Sequence, residues 1–365
     1  MAVPNRGFRD PSHRGYDTAM MNAEFLPSAS LARLQQRAQL ATVIRTYFQE
    51  CGYWEVETPI LSTGIILDAW LEPFVADYLS DPQRWAAGGE PRYLQTSPEA
   101  HMKRLLAAGA EAIFQFSRVF RNGESGRRHN PEFTMLEWYR VGDDHRRQMD
   151  FTEQLVRTAW QASSAWQNES TAVINVGEPF ERLAYDDAFE RYAGQRVLDR
   201  PTAEIRQMAV RHQLVPPAGL ADDDRDGWLN YLLAELIEPN LGRDRPTFLC
   251  DYPASQAALA NLAPSRPGGP LIAERFELYL HGVELCNGYH ELTDPAALRQ
   301  RTEQQAALRA EAGFRPLPGP GRLLQAMDAG LPASSGVALG FDRLVMLAFG
   351  AASLSEVIAF PFERA

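Results

Sequence analysis

The sequence of 365 residues has few cysteines and no long apolar run. Its three cysteines, Cys51, Cys250 and Cys286, lack the spacing of metal ligands and are too few for a disulfide framework. The first residues contain arginines but not the apolar core of a signal peptide, and no later segment is long and apolar enough to cross a bilayer. We therefore predict a cytoplasmic protein that has no membrane partner.

An excess of basic residues is also missing. Lysine and arginine number 36 against 47 aspartate and glutamate residues, which gives a net charge of −11. A broad nucleic-acid-binding surface needs clustered basic side chains, so the composition argues against one and leaves room only for a local basic patch. The hydrophobic content of 45% is enough to bury the core of one or two domains.

The order of sequence patterns predicts a leader followed by one folded unit. Residues 1–27 mix Pro, Gly, Arg, Asp and Ser without periodicity, which is typical of a disordered leader. A helical pattern that Ser30 can cap then opens a domain over residues 28–365. Helical segments at about 143–240 interrupt a strand-rich chain and resemble an insertion. Strands in hairpins with irregularly placed helices predict an α+β fold with a mixed, mainly antiparallel sheet.

The first segment that suggests chemistry is a hairpin at residues 114–140. On its second strand, alternation places four side chains on one face: Phe133, Met135, Glu137 and Tyr139. Thr134, Leu136 and Trp138 on the other face look like packing residues. Arg121 ends the first strand, where its guanidinium can hold a phosphate or a carboxylate with two hydrogen bonds. An ordinary amphipathic hairpin with an Arg–Glu ion pair would show the same pattern.

A second hairpin places two carboxylates close together. If His281 and Gly282 form a two-residue turn, Tyr279 pairs with Glu284, and Glu277 lies diagonally from Glu284 on the same face. Two such carboxylates repel each other unless a proton or a hard cation lies between them. The alternative is an acidic face exposed to solvent.

The same hairpin continues with two further polar residues. A regular pleat places Asn287 and Glu291 on the face opposite Glu277 and Glu284. We therefore expect a β-bulge at Gly288 if all four side chains belong to one site.

Two weaker segments complete the set. Residues 335–344 carry small residues that allow a close approach to the backbone, namely Gly336, Ala338 and Gly340, and Arg343 follows within one turn. Residues 95–106 place Ser97 and Glu99 at the start of a helix. Alone, the first segment is equally typical of helix–sheet packing, and the second of an ordinary helix start.

Together and in this order, these segments resemble the catalytic core of lysine-type class II aminoacyl-tRNA synthetases. Residues 52–61 (GYWEVETPIL) resemble motif 1, which forms a dimer interface in that class, and residues 114–140 resemble motif 2. Residues 336–344 (GVALGFDRL) resemble motif 3. The resemblance extends from Leu31 to the C-terminus. It implies the class II fold, the use of ATP and Mg²⁺, and a homodimer.

Two features differ from lysyl-tRNA synthetases that charge tRNA. Only about 30 residues precede the first core helix, too few for the five-stranded OB-fold domain that reads the anticodon. The motif 3 glycine that faces the amino acid is replaced by Ala338. With the closing EVIAFPFERA, these features resemble the truncated lysyl-tRNA synthetase paralogues that ligate (R)-β-lysine onto a lysine of translation elongation factor P. The resemblance thus implies elongation factor P as partner and argues against tRNA.

The resemblance also implies roles for individual residues. ATP would contact Arg121, Asn122, Gly123, Glu124, His129, Asn130, Phe133, Glu284, Leu285, Gly340 and Arg343, with Arg121 and Arg343 acting in catalysis. The amino acid would contact Ser97, Pro98, Glu99, Glu137, Tyr139, Asn287, Glu291 and Ala338. Mg²⁺ would be held by Glu277 and Glu284.

One residue departs from the family pattern. The family has Arg-Asn-Glu after the first motif 2 strand, whereas this sequence has Gly123 followed by Glu124. A shift by one residue normally reverses the direction of a side chain. We therefore expect either that the backbone at Gly123 redirects Glu124 toward ATP or that this contact is missing.

Two other functions compete with the ligase hypothesis. A conventional lysyl-tRNA synthetase would charge tRNA, and a non-catalytic module of the same ancestry would bind an amino acid and regulate another protein. The departure at Gly123 is the only feature that favours the non-catalytic module, while the complete set of charged motif residues opposes it.

Overall fold

The computed structural model describes residues 25–166 and 174–365. Residues 1–24, which make up most of the predicted leader 1–27, lie outside the described residues. Within them, the helices are α1 Leu31–Glu50, α2 Glu99–Ala107, α3 His145–Ser163, α4 Tyr185–Ala193, α5 Thr202–Arg211, α6 Arg225–Leu232, α7 Pro295–Glu311, α8 Gly321–Gly330 and α9 Phe341–Ala348. The strands are β1 Trp54–Glu55, β2 Leu61–Ser62, β3 Val75–Tyr78, β4 Glu90–Leu94, β5 Ala112–Phe120, β6 Glu132–Val141, β7 Glu181–Ala184, β8 Thr247–Pro253, β9 Leu262–Pro264, β10 Leu271–Leu280, β11 Val283–His290 and β12 Ser334–Gly340.

One large sheet organises the fold. Its strand order is β1-β5-β6-β12-β11-β10-β8-β7, and β9 pairs with β10. Only the pairs β1–β5 and β7–β8 are parallel, so the sheet is mainly antiparallel. The small sheet of β2, β4 and β3 lies apart from it. The predicted α+β class with a mixed, mainly antiparallel sheet is confirmed.

Three helices cover one face of the large sheet. In α1, the Ser30 side chain accepts a hydrogen bond from the Arg33 backbone, which caps the predicted helix start. Leu40, Ile44 and Phe48 recur every four residues and are fully buried, so α1 presents a continuous apolar stripe to the sheet. The helices α3 and α9 contribute to the same apolar core.

The segment predicted as a helical insertion packs in two ways. Its first helix, α3, belongs to the main core together with α1. The helices α4, α5 and α6 instead form a second apolar core against β8 and β10. A π-helical turn at Leu233–Ile237 then brings Glu238 to the open face of the large sheet. The segment therefore supports the sheet and also contributes to its open face.

The turn between β10 and β11 has the predicted geometry. His281 and Gly282 both have positive φ angles, as a two-residue hairpin turn of this kind requires. Tyr279 pairs with Glu284, as expected from the sequence.

The bulge in this hairpin lies at Leu285, so the prediction of a bulge at Gly288 was wrong. After the pair Tyr279–Glu284, the next pair along the hairpin joins Leu278 to Cys286. This leaves Leu285 unpaired. Gly288 has a different purpose, because a Cβ at that position would lie 2.4 Å from the ring of Phe276. Glycine therefore makes room for a core side chain, while the bulge four residues after His281 redirects the rest of β11.

Candidate active site

The face of the sheet opposite α1 and α3 forms an open cleft of about 1470 Å³. It brings together most of the predicted site residues, namely Ser97, Glu99, Arg121, Glu124, His129, Asn130, Phe133, Glu137, Tyr139, Glu277, Glu284, Leu285, Asn287, Glu291, Ala338, Gly340 and Arg343. Pro98, Asn122 and Gly123 do not line it. They shape the chain beside it: Pro98 directly precedes α2, the Asn122 backbone donates to Glu72, and Gly123 has a left-handed backbone.

Alternation along β6 explains one wall of the cleft. Phe133, Met135, Glu137 and Tyr139 face the cleft, whereas Leu136 and Trp138 are buried in the main core. The predicted division of β6 into a polar site face and a packing face is therefore confirmed.

Arg121 and Phe133 lie together at one end of the cleft. The Arg121 guanidinium carbon is 5.2 Å from the centre of the Phe133 ring, close enough for a cation–π contact. Its Nη1 atom lies 3.9 Å from Glu124 Oε2. The φ angle of Gly123 is +88°, and this left-handed turn directs Glu124 into the cleft. Of the two alternatives given for Gly123, this geometry favours a backbone that redirects Glu124, whose contact with ATP stays a prediction.

Arg343 reaches the same end of the cleft from the first turn of α9. Its Nη1 donates to the Glu284 carbonyl at 2.9 Å, and its Nη2 donates to His129 Nε2 at 2.8 Å. The guanidinium is thus held between the β10–β11 hairpin and the loop after β5. A planar cation held in this way can bind a phosphate or stack on an aromatic base.

A buried ion pair that sequence reasoning missed fixes the start of α9. Arg37 Nη2 lies 2.5 Å from Asp342 Oδ1, and Asp342 Oδ2 accepts a hydrogen bond from the Thr134 backbone at 2.9 Å. Asp342 is almost completely buried, so its charge depends on these two partners. Arg37 of α1 therefore anchors Asp342, and Arg343 is the next residue along α9.

Lys103 was also missed; it does not line the cleft itself, but it contacts two carboxylates at the other end of it. Its side chain is almost completely buried, and its Nζ is 2.5 Å from Glu99 and 2.5 Å from Glu291. The spacing of Glu99 and Lys103 by four residues on one helix could have revealed the first contact. The second contact depends on β11, which is distant in sequence. One ammonium group therefore already joins two of the predicted amine-binding carboxylates.

Glu137 adds a third carboxyl group to this end. The Tyr139 hydroxyl donates to Glu137 Oε1 at 2.6 Å, and Glu137 Oε2 is buried with no hydrogen-bond partner among the residues described. Burial, followed by the negative charge of Glu99, raises the pKa of Glu137 to about 8. Burial also raises the pKa of Glu291 to about 7, although Lys103 opposes this. Of these carboxyl groups, Glu137 is the one with the more strongly raised pKa and with no cation bound directly to it.

The sequence matches the family described as tRNA synthetases class II (D, K and N) over residues 22–364. The chain belongs to this family. An elongation factor P–(R)-β-lysine ligase of Vibrio cholerae is 42% identical over 346 residues, covering 95% of this chain and 100% of the relative. The proteins of that name from Edwardsiella ictaluri and Pectobacterium atrosepticum are each 44% identical, covering 94% and 93% of this chain and 99% and 98% of the relatives.

Class II synthetases use ATP, and the cleft has an oxygen-rich region beside Arg343. Glu277 accepts hydrogen bonds from the hydroxyls of Tyr252 and Tyr279, each at 2.6 Å, and pairs with Arg275. Tyr279 also contacts Glu238, a third cleft carboxylate that sequence reasoning did not identify. The side-chain atoms that could bind a cation here are all oxygens, which fits Mg²⁺ better than a softer metal.

Glu284 is more exposed than Glu277. About 42% of its side chain is exposed, and its Oε2 lies 3.5 Å from Arg343 Nη1. Glu277 has three donors around it and is almost buried, so it is the more rigid member of the pair.

None of the helices in the described parts of the chain has the length and apolar character required to cross a bilayer.

Proposed function

We propose that this class II synthetase domain activates (R)-β-lysine with ATP and transfers it to a lysine side chain of elongation factor P. The observation that carries the proposal is the charge distribution of the cleft. Arg121 and Arg343 lie at one end, and Glu99, Glu137 and Glu291 with a single buried lysine lie at the other. This arrangement suits a substrate with an activated carboxylate and two amines. Relatives that match along almost their whole length are elongation factor P–(R)-β-lysine ligases, which supports the same activity.

In the first step, the substrate carboxylate attacks the α-phosphorus of ATP and pyrophosphate leaves. The product is a mixed anhydride of the amino acid and AMP. The reaction needs no nucleophile from the protein, because the attacking oxygen belongs to the substrate. We propose that Arg121 holds both the carboxylate and the α-phosphate and that Arg343 and Phe133 enclose the adenine. The positive charges of Arg121 and Arg343 stabilise the negative charge that develops at phosphorus. Mg²⁺, held by Glu277 and Glu284, would neutralise charge on the ATP phosphates.

In the second step, a lysine amine of the acceptor attacks the carbonyl of the mixed anhydride and AMP leaves. The attacking amine must be neutral, and a proton leaves it as the new amide bond forms.

We propose that the remaining predicted residues position the two substrates: Asn122, Gly123, Glu124, His129, Asn130, Leu285 and Gly340 for ATP, and Ser97, Pro98, Tyr139, Asn287 and Ala338 for the amino acid.

Parallel measurements of ATP–pyrophosphate exchange with α-lysine and with (R)-β-lysine test this function. We expect faster exchange with (R)-β-lysine and, by mass spectrometry, its addition to elongation factor P. Aminoacylation of tRNA would instead indicate a lysyl-tRNA synthetase. Exchange with neither amino acid would indicate a non-catalytic module.

The choice between the two lysine isomers is expected to depend on Ala338. Ala338 lies on β12 between Glu137 of β6 and Asn287 of β11, so its methyl group is next to two predicted substrate contacts. In a tight pocket an extra methyl costs about 1–3 kcal/mol. We expect Ala338→Gly to raise kcat/KM for α-lysine in pyrophosphate exchange by roughly tenfold or more. No gain with α-lysine would contradict this role, and Ala333→Gly outside the cleft serves as the control.

Binding of the diamine is expected to release protons. At pH 7 Glu137 is protonated, because its pKa is raised to about 8, and a bound ammonium favours its ionised form. The groups that face it are Glu99, Glu291, Lys103 and Tyr139. Affinity should therefore rise with pH up to about 8 and then level off.

Calorimetry in buffers of different ionisation enthalpy measures this proton release. We expect Glu137→Gln to remove most of it, whereas Glu90→Gln, at an exposed position on β4, should leave it unchanged. A binding enthalpy that does not depend on the buffer in the unmodified protein would contradict the role of Glu137.

Further parts of the proposal concern assembly and location. We propose a cytoplasmic homodimer formed through residues 52–61, supported by the exposure of Trp54, Ile60 and Leu61 in that segment. We also propose that residues 28–365 form one catalytic domain with a helical insertion at about 143–240.

A further inference from the structure

A second cluster of potential ligands lies on the side of the sheet away from the catalytic cleft. His145 is the first residue of α3, Glu274 lies on β10, and His290 lies on β11. None of the three lines the cleft, whereas their strand neighbours Arg275 and Tyr289 do. This follows from the alternation of side chains along a strand.

The three side chains converge on one point. Each offers one ligand atom, and these atoms all lie within 4.8 Å of one another. His290 Nδ1 is 2.6 Å from Glu274 Oε2, and Asn261 Nδ2 donates to the same oxygen at 3.4 Å. Ligands around a tetrahedral Zn²⁺ are separated by about 3.4 Å, given bonds of about 2.0–2.1 Å. Small side-chain rotations would therefore bring these atoms into such a geometry.

His145 provides the independent evidence for a ligand. Only 3% of it is exposed, yet neither Nδ1 nor Nε2 has a hydrogen-bond partner among the residues described. A buried polar group without a partner is costly, so it implies an ion or another bound species. The helix start holds the residue in place, because the Asp144 side chain caps the backbone of Arg147. The imidazole is therefore fixed beside Glu274 and His290 without a protein partner of its own.

The surrounding charges favour a cation. Glu274 and Asp251 are the negative groups that act most strongly on the His145 ring, and Arg146 is the main opposing charge. Burial also lowers the pKa of His145. Asp251 itself has a left-handed backbone, with a φ angle of 60°, at the point where β8 and β10 lose register.

We propose that His145, Glu274 and His290 form a binding site for a divalent transition metal of the Zn²⁺ type, separate from the proposed Mg²⁺ site. Two imidazoles and one carboxylate form a donor set that suits Zn²⁺, with a fourth position for water. The metal would join α3 to β10 and β11, whose opposite side carries Glu277, Asn287 and Glu291 of the cleft. Its binding would therefore stabilise the two strands that support the catalytic residues.

The experiment uses the tag-free full chain, stripped with a chelator and then titrated with ZnCl₂ in an excess of Mg²⁺ that occupies carboxylate sites. We expect about one Zn²⁺ per chain by elemental analysis, a rise in Tm on Zn²⁺ addition and, with Co²⁺, the visible absorption of a tetrahedral complex. His145→Ala and His290→Ala should abolish these three signals.

Three controls separate the outcomes. His212→Ala, on the distant end of α5 where the ring contacts the Ala193 carbonyl, should keep the site, and Glu284→Gln in the cleft should keep it too. The melting curve of metal-free His145→Ala shows whether that variant folds. If the unmodified protein retains no stoichiometric Zn²⁺, or if folded His145→Ala binds it equally well, the site does not exist.

Discussion

Replacement of Arg121 with alanine is expected to slow ATP–pyrophosphate exchange by about 10²–10³-fold. The Arg121 guanidinium lies over the Phe133 ring and its Nε atom is buried without a hydrogen-bond partner among the described residues. Under the proposed function, it would lie in advance where negative charge develops on the α-phosphate. Because the lost interaction is strongest in the transition state, kcat should fall more than the KM for ATP rises.

Two further variants show whether the effect comes from bidentate contacts. Arg121→Lys keeps the charge but loses the planar fork, so we expect only partial activity. Arg118→Ala removes an arginine of the same strand whose side chain is 52% exposed and pairs with Glu132 outside the cleft, and its exchange rate should not change. Exchange by Arg121→Ala at nearly the rate of Arg118→Ala would show that Arg121 does not act on the reacting groups.

The second large effect is expected from Gly336→Ala. A Cβ at this position would lie 2.2 Å from Tyr139 Cε1 and 2.7 Å from Glu291 Oε1, two atoms of the amino-acid end of the cleft. Tyr139 cannot move aside easily, because it is buried and its hydroxyl is bonded to Glu137. We expect the KM for the amino acid to rise by about tenfold to a hundredfold, because overpacking costs about 1–3 kcal/mol.

The KM for ATP provides the internal reference for this variant and should remain nearly constant. Gly321→Ala is the matched control, since a Cβ at Gly321 meets no atom within 4 Å and its backbone is not left-handed. Both variants should be compared by thermal melting, so that a folding defect is recognised. If Gly336→Ala leaves the KM for the amino acid unchanged, the ring of Tyr139 does not shape the substrate pocket.

The structure departs from the sequence-based expectation mainly where distant segments meet. Lys103 is ordinary in its helix, and only its contact with Glu291, the residue after β11, ties it to a carboxylate of the cleft. The bulge was expected at Gly288 as a way to bring Asn287 and Glu291 into one site with Glu277 and Glu284, but that glycine makes room for the Phe276 ring. The packing of the opposite side of the sheet thus decided the role of Gly288.

The sequence by itself determined the strand–helix order, the face of β6 that carries Phe133, Glu137 and Tyr139, and the turn at His281 and Gly282. These features are local, because the pleat alternates every residue and a two-residue turn needs positive φ angles. The tertiary structure alone decided the bulge at Leu285, which brings Asn287 and Glu291 into the cleft, and the convergence of His145 with β10 and β11. Both depend on register and packing between segments far apart in the chain, and no short window of sequence encodes those distances.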